Sequence, residues 1–253
     1  MQTTFIYRFL LVFLMAVSIL TACTSASPTV SVQTTDTPQS TLISETEEFN
    51  TFVMKTATPL PTPTISPKIE SMQKDMEKLA YDRLVSSAAG KYYSVQDFTG
   101  EWAKLAYYHW WPLNRKPTNF AIRADVNWET AIPNANPSKA GCGFVFHENG
   151  PDNLHLSFLS MDGYVRNYRM EKRVISDLKA NYAGKFDYPA DSAKIMLVVD
   201  YQWITFFVDG KQILRFKDDH LNGGGLAFAV ASGSNNSFGT RCTFQNVELW
   251  EFN

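Results

Sequence analysis

From Tyr92 to the C-terminus, apolar and polar residues alternate with a period of two, and Asp-Gly pairs punctuate the alternation. This pattern constrains the fold more than any other feature. Side chains on a strand point to opposite faces in turn, whereas a helix cannot keep a period-two stripe on one side. Residues 119–128 are the clearest case. Phe120, Ile122, Ala124, Val126 and Trp128 fall on one face, and Asn119, Ala121, Arg123, Asp125 and Asn127 on the other. Leu154, Leu156 and Phe158 alternate with Asn153, His155 and Ser157, so the apolar set is predicted to be buried and the polar set to be solvated. Asp162-Gly163 leads into 164–170, and Asp209-Gly210 joins 203–208 to 211–216. An Asp-Gly pair in this setting predicts a tight hairpin with φ > 0 at both turn positions. Further strands are predicted at 143–147, 194–201, 225–231 and 240–252. About ten strands with no helix between them predict an all-β fold, a two-sheet antiparallel jelly-roll sandwich over residues 91–253.

Upstream of the strands the period lengthens. Ser66 is a suitable N-cap and Pro67 a suitable first helical residue. Ile69, Met72, Met76, Leu79 and Leu84 fall near one face, and Gly90 is a plausible stop, so one amphipathic helix is predicted over 67–90. Its Met-containing stripe is expected to pack on the β-domain rather than on a partner helix.

The segment before the helix has a different composition. Residues 24–66 include 23 Ser, Thr or Pro. Such a sequence cannot bury enough apolar surface to offset its ordering entropy, so residues 23–66 are predicted to be a disordered tether. Ahead of it, Arg8 precedes an apolar run over 9–20 that is too short for a comfortable membrane span but fits the core of an export signal. The run ends in Leu20-Thr21-Ala22-Cys23, which resembles the lipobox of bacterial lipoprotein precursors. That resemblance implies a signal peptide over 1–22 and lipidation of Cys23. It also implies a protein held in the cell membrane by its lipid, with the domain on the extracytoplasmic face. An ordinary secretory signal cleaved near Ser25-Ala26-Ser27 is the alternative.

With Cys23 assigned to the targeting segment, Cys142 and Cys242 are left to pair, and an exported protein is expected to oxidise them. The net charge of −2, from 23 basic and 25 acidic side chains, together with the lack of any Lys/Arg stripe, argues against a nucleic-acid partner.

Several phrases of the strand region resemble the concanavalin A-like lectin/glucanase superfamily. They are Gly141-Cys-Gly-Phe-Val-Phe146, Asp152-Asn-Leu-His-Leu-Ser-Phe158, Ile204-Thr-Phe-Phe-Val-Asp-Gly-Lys-Gln-Ile213, Gly223-Gly-Gly-Leu-Ala-Phe228 and Cys242-Thr-Phe-Gln-Asn-Val-Glu-Leu-Trp250. The likeness is to its laminin-G-like and 3-keto-disaccharide-hydrolase-like branches. It implies two antiparallel sheets, one of them concave, with sugars or proteins bound on the concave face or rim loops.

The glucanases of that superfamily carry Glu-x-Asp-x-x-Glu on one strand, which sets an acid and a nucleophile on the same face. No Glu-x-Asp occurs in this sequence; Asp125, Asn127 and Glu129 share a face but read as solvated. No catalytic residue is therefore assigned. The four His residues are scattered without zinc spacing, and no cofactor is predicted beyond calcium on loop carboxylates. The aromatic run 107–111, with Trp110 and Trp111, offers ring faces on which sugars stack. Arg123, His155, Arg166 and Tyr168 fall on predicted polar strand faces and are candidates to line a groove. These residues point first to a lipid-anchored, non-catalytic, carbohydrate-binding sandwich with a polysaccharide or glycan partner. The alternatives are an extracellular glycoside hydrolase of the 3-keto-disaccharide-hydrolase type and a laminin-G-like protein-interaction module.

Overall fold

The computed structural model describes residues 66–253. The expected signal peptide (1–22), the lipidation site Cys23 and all of the tether (23–66) but Ser66 lie outside the described residues. Helix α1 (Pro67–Tyr81) is followed by strands β1 (Gly90–Ser94), β2 (Phe98–Trp102), β3 (Tyr108–Arg115), β4 (Phe120–Thr130), β5 (Gly141–Glu148), β6 (Asn153–Ser160) and β7 (Tyr164–Glu171). The remaining strands are β8 (Val174–Tyr182), β9 (Ala190–Asp200), β10 (Trp203–Val208), β11 (Lys211–Lys217), β12 (Gly225–Ala231) and β13 (Thr240–Phe252). They form two antiparallel sheets, as the alternation predicts. Sheet I runs β1-β13-β4-β9-β10-β11, with β2 also paired to β13. Sheet II runs β3-β12-β5-β6-β7-β8.

The core lies between the sheets. Phe120, Ile122, Ala124, Val126 and Trp128 of β4 all face inward, as their spacing predicts, and meet Phe144, Phe146, Phe228 and Val230 of sheet II. Each large apolar side chain buried in this way contributes roughly 1.5–3 kcal/mol. Cys142 of β5 and Cys242 of β13 form a disulfide across the core, with Cα atoms 5.9 Å apart, tying one sheet to the other.

Helix α1 lies on the outer face of sheet I. Met72 and Met76 are fully buried there with Leu79, against Ala121, Val198, Phe207 and Trp250. The helix thus packs on the β-domain, as expected. It ends at Tyr81, however, and not near Gly90, which begins β1. The stop is a Schellman-type turn: Leu84 N donates to Leu79 O at 2.8 Å, Arg83 N donates to Ala80 O at 3.0 Å, and Arg83 takes the left-handed conformation at φ 57. That position usually holds glycine, so a search for the next glycine runs past it. Ser66 occupies the N-cap but its side chain makes no cap hydrogen bond.

The two Asp-Gly pairs differ. Asp209 and Gly210 both have positive φ, at 50 and 76, as a two-residue hairpin requires. At the other, only Gly163 does (φ 87), and Gly163 N donates to Ser160 O at 2.9 Å. The connection there is a three-residue loop, Met161 to Gly163, a common alternative to the tight turn. Its Asp162 carboxylate is free to accept from Ser160 Oγ and Arg166 Nη2, each at 2.5 Å.

Candidate functional site

Sheet II carries no helix on its outer face among the described residues, yet that face is not polar. The register of β5, β6 and β7 pairs Val145 with Leu156 and Leu156 with Tyr168, and sets these side chains outward. The alternation on β6 holds and its apolar set is buried, as predicted, but that set lies on the outer face of the sheet and the polar set is buried rather than solvated. Leu154, Leu156 and Phe158 point out, buried with Ala227, Ala229 and Ala231 against Tyr108, Trp110, Tyr168 and Met170. His155 and Ser157 point in, between the sheets, where both are almost fully buried. The inward Ser157 is satisfied there: Ser157 Oγ donates to Asn167 Oδ1, and Asn167 Nδ2 to the backbone O of Lys179 at 3.3 Å. Buried polar groups survive only with such partners.

Small residues on the neighbouring strands make room for the aromatics. A Cβ on Gly143 would lie 2.5 Å from Phe158 Cα and 2.6 Å from Phe158 Cβ, and one on Gly141 would meet the Phe158 ring at 2.7 Å. Phe158 therefore leans over β5, and Tyr168 stacks on it at 6.0 Å between centroids, with 19° between planes. The result is a groove of about 120 Å³. Leu154, Leu156 and Phe158 form its floor, with Tyr107 and Tyr108 on one wall and Tyr168, Met170 and Ile175 on the other.

The polar groups are few. Burial pushes the Tyr108 hydroxyl up to about 12, so it stays a neutral donor and acceptor. The Tyr168 hydroxyl is also raised, by burial and then by the Asp177 carboxylate, while Arg166 opposes the shift. Arg166 is fixed by Asp162, and its Nε donates to Ser160 Oγ at 3.1 Å. Lys139 is the one charged side chain lining the groove, and Lys104 sits 3.8 Å above the Tyr107 ring.

The structure brings together three of the six residues singled out as ligand-binding: Trp110, Arg166 and Tyr168 share the outer face of sheet II. The other three are placed elsewhere. Trp111 points to the opposite face of β3 and packs on Phe98 at 5.2 Å and edge-on against His109 at 4.6 Å. His155 is between the sheets. Arg123 lies on sheet I beneath α1, donating to Glu248 Oε2 at 2.6 Å, to Asp75, and to Ser71 Oγ at 3.2 Å. Its guanidinium is thus committed to holding the helix. Sequence reasoning reached Tyr108 only as part of the aromatic run 107–111, and missed Phe158 and Lys139. The signal for Phe158 was the glycine pair at 141 and 143 directly across the ladder from 160 and 158.

Asp125 and Glu129 point outward on sheet I and are each paired with a cation, Asp125 with Lys194 at 3.3 Å and Glu129 with Arg241. They do not face the groove. Among the described residues, no group of three or more His, Cys, Asp or Glu side chains is arranged to hold a metal ion.

No protein-family model and no curated protein matches the chain. Among solved structures it is similar to a carbohydrate-binding module, CBM66 from Bacillus subtilis, at 10% identity and a TM-score of 0.46, over 62% of this chain and 94% of that one. It is also similar to the Emp47p carbohydrate recognition domain, at 13% identity and 0.42, over 62% and 89%. A third likeness is to a β-fructofuranosidase from Aspergillus kawachii, at 14% and 0.44, over 64% of this chain but only 28% of that enzyme. At these scores the likeness carries no argument about what this chain binds.

Proposed function

We propose that this chain is a lipid-anchored surface protein whose sandwich binds carbohydrate, without cleaving it, in the groove on the outer face of sheet II. The observation that carries this reading is the arrangement of Tyr107, Tyr108 and Tyr168 around an apolar floor of Leu154, Leu156 and Phe158, with a few polar groups at the margin. A sugar ring has an apolar C–H face and a hydroxyl edge. Rings such as Tyr168 supply the stacking surface, and the tyrosine hydroxyls and Lys139 supply hydrogen bonds at the edge. A groove of about 120 Å³ is small beside the roughly 300–1,000 Å³ of sites that engulf a drug-sized ligand. It suits one ring of a longer chain, held weakly and gaining strength from many copies on one surface.

A recessed groove walled by aromatics favours this reading over a laminin-G-like protein-binding face, for which a flat apolar patch would be expected. The absence of Glu-x-Asp, and the ion-paired state of Asp125 and Glu129 on the opposite sheet, weigh against hydrolysis by the glucanase mechanism. A glycan-array screen of the full chain, solubilised in detergent, tests the proposal. Reproducible binding to one polysaccharide class, weakened by Tyr168→Ala, supports it. Binding that Tyr168→Ala leaves untouched removes the groove from the account, and no binding to any class removes the carbohydrate.

A further inference from the structure

We propose that the buried pair His147 and His155 is an acid-sensitive latch that holds residues 218–224 against sheet II and releases them when both rings carry protons. This inference does not depend on what the groove binds.

The two rings meet through like atoms. His147 Nδ1 lies 3.3 Å from His155 Nδ1, and both residues are almost fully buried. Such a contact is a hydrogen bond only while one of the two nitrogens lacks a proton, so that one ring donates and the other accepts. A single added proton is tolerated as an imidazolium–imidazole bond. A second sets two N–H groups and two positive charges against each other in a site without water access.

The surrounding charges allow for one proton and no more. From the segment itself, Asp218 Oδ1 is 3.6 Å from His155 Nε2. From β7, Arg169 Nη1 donates to Asp218 Oδ2 at 2.5 Å, and Arg169 Nε is 3.5 Å from Glu171 Oε2. His220 Nδ1 lies 3.1 Å from that same Glu171 oxygen. At the end of β5, the Glu148 carboxylate accepts from Gly150 N at 2.9 Å. The Asp218 carboxylate, which burial alone would raise, is held at about 2 by the nearby His155 ring, by a hydrogen bond from the His220 N–H and by Arg169. It therefore remains an anion down to strongly acid pH, but Arg169 already uses most of its charge. His147 is pushed down to about 4, first by burial and then by His155, despite the nearby backbone of Thr118 and Leu221.

The same residues anchor the segment. Asp218 is bound to Arg169, His220 to Glu171, and Gly223 O accepts from Asn149 Nδ2 at 3.1 Å. Gly224 sits so close to the His147 backbone that a Cβ there would be 2.7 Å from His147 C. The His147 ring also faces the Leu221 backbone, so a ring that must move disturbs the segment directly. Because the folded value for His147 is below its ordinary 6.5, its contribution is fully present above pH 6.5. It is lost as pH falls from 6.5 through about 4. A gap of that size corresponds to at most about a 300-fold change in the opening equilibrium.

Hydrogen exchange by mass spectrometry on the full chain, at pH 7 and pH 4 and corrected for intrinsic rates, reads the latch directly. The Asp218 amide, which donates to Gln202 O at 2.8 Å, and the His220 amide, which donates to Asp218 Oδ1 at 3.0 Å, are expected to lose protection at pH 4 by tens- to hundreds-fold while β4 keeps its own. In His147→Asn, which tolerates the left-handed φ of 50 at this position, protection of 218–224 should no longer differ between the two pH values. Equal protection at both pH values in the unaltered protein overturns the proposal. So does a pH-dependent loss that persists in His147→Asn, which would assign it to carboxylates. If His147→Asn does not fold, the NMR titration of His147 in the unaltered chain decides: an ordinary midpoint near 6.5 overturns the latch, and a depressed one supports it.

Discussion

Replacing both Cys142 and Cys242 by alanine should cost much of the domain's stability without changing its fold. The bridge spans 100 residues of sequence and joins β5 in one sheet to β13 in the other. Chain-entropy arguments give about 4.7 kcal/mol for a closed loop of that length. Both cysteines are essentially without solvent contact, so the missing sulfur atoms also leave a small void in the core, worth about another 1 kcal/mol. Alanine is the better replacement because a serine hydroxyl at either site would have no guaranteed partner. Folded domains are stable by about 5–15 kcal/mol, so a loss of about 3–6 leaves the variant folded but marginal. Urea titration followed by tryptophan fluorescence measures it. The midpoint should fall, and the slope should rise, because the unbridged unfolded chain exposes more surface. A loss below about 1 kcal/mol would refute the claim that the bridge restrains the unfolded chain. Mass spectrometry of the unreduced protein gives an independent check, since two free thiols would remove the bridge altogether.

Gly143→Ala should push β5 and β6 apart, because the new methyl would lie 2.1 Å from Ser157 O. The expected cost is about 1–3 kcal/mol, with Phe158 displaced from the groove floor; an unchanged melting temperature and unchanged ligand affinity would contradict the packing described above. Cys23→Ser should move the protein from the membrane fraction to the soluble fraction of a cell lysate. Retention in the membrane would end the lipid-anchor reading.

The fold was legible because its signal is local and repeated. The inward set on β4 could be read residue by residue, and the Asp209-Gly210 hairpin followed from its turn residues alone. The site was legible only in part, for three physical reasons. Alternation reports that a strand has two faces, not which face meets the other sheet, and on β6 the polar face turned inward because Ser157 finds Asn167 and His155 finds His147 there. Adjacent aromatics on a strand must part, so Trp110 and Trp111 cannot share a groove. The role of Arg123 depended on a helix 48 residues earlier, from which Asp75 reaches it, a pairing no local pattern reveals. The end of α1 was missed for a related reason, since a left-handed arginine at 83 gives no sequence signal.

The most direct test of the central claim is to map, by NMR on the full chain, where the best glycan from the array perturbs the protein. The account predicts shifts centred on Tyr107, Tyr108, Phe158 and Tyr168. It also predicts a loss of affinity in Tyr168→Ala of roughly 2- to 12-fold, as expected for an aromatic contact worth about 0.5–1.5 kcal/mol. Shifts centred on α1, on sheet I or on the 218–224 segment, with Tyr168→Ala binding as tightly as the unaltered chain, would contradict it.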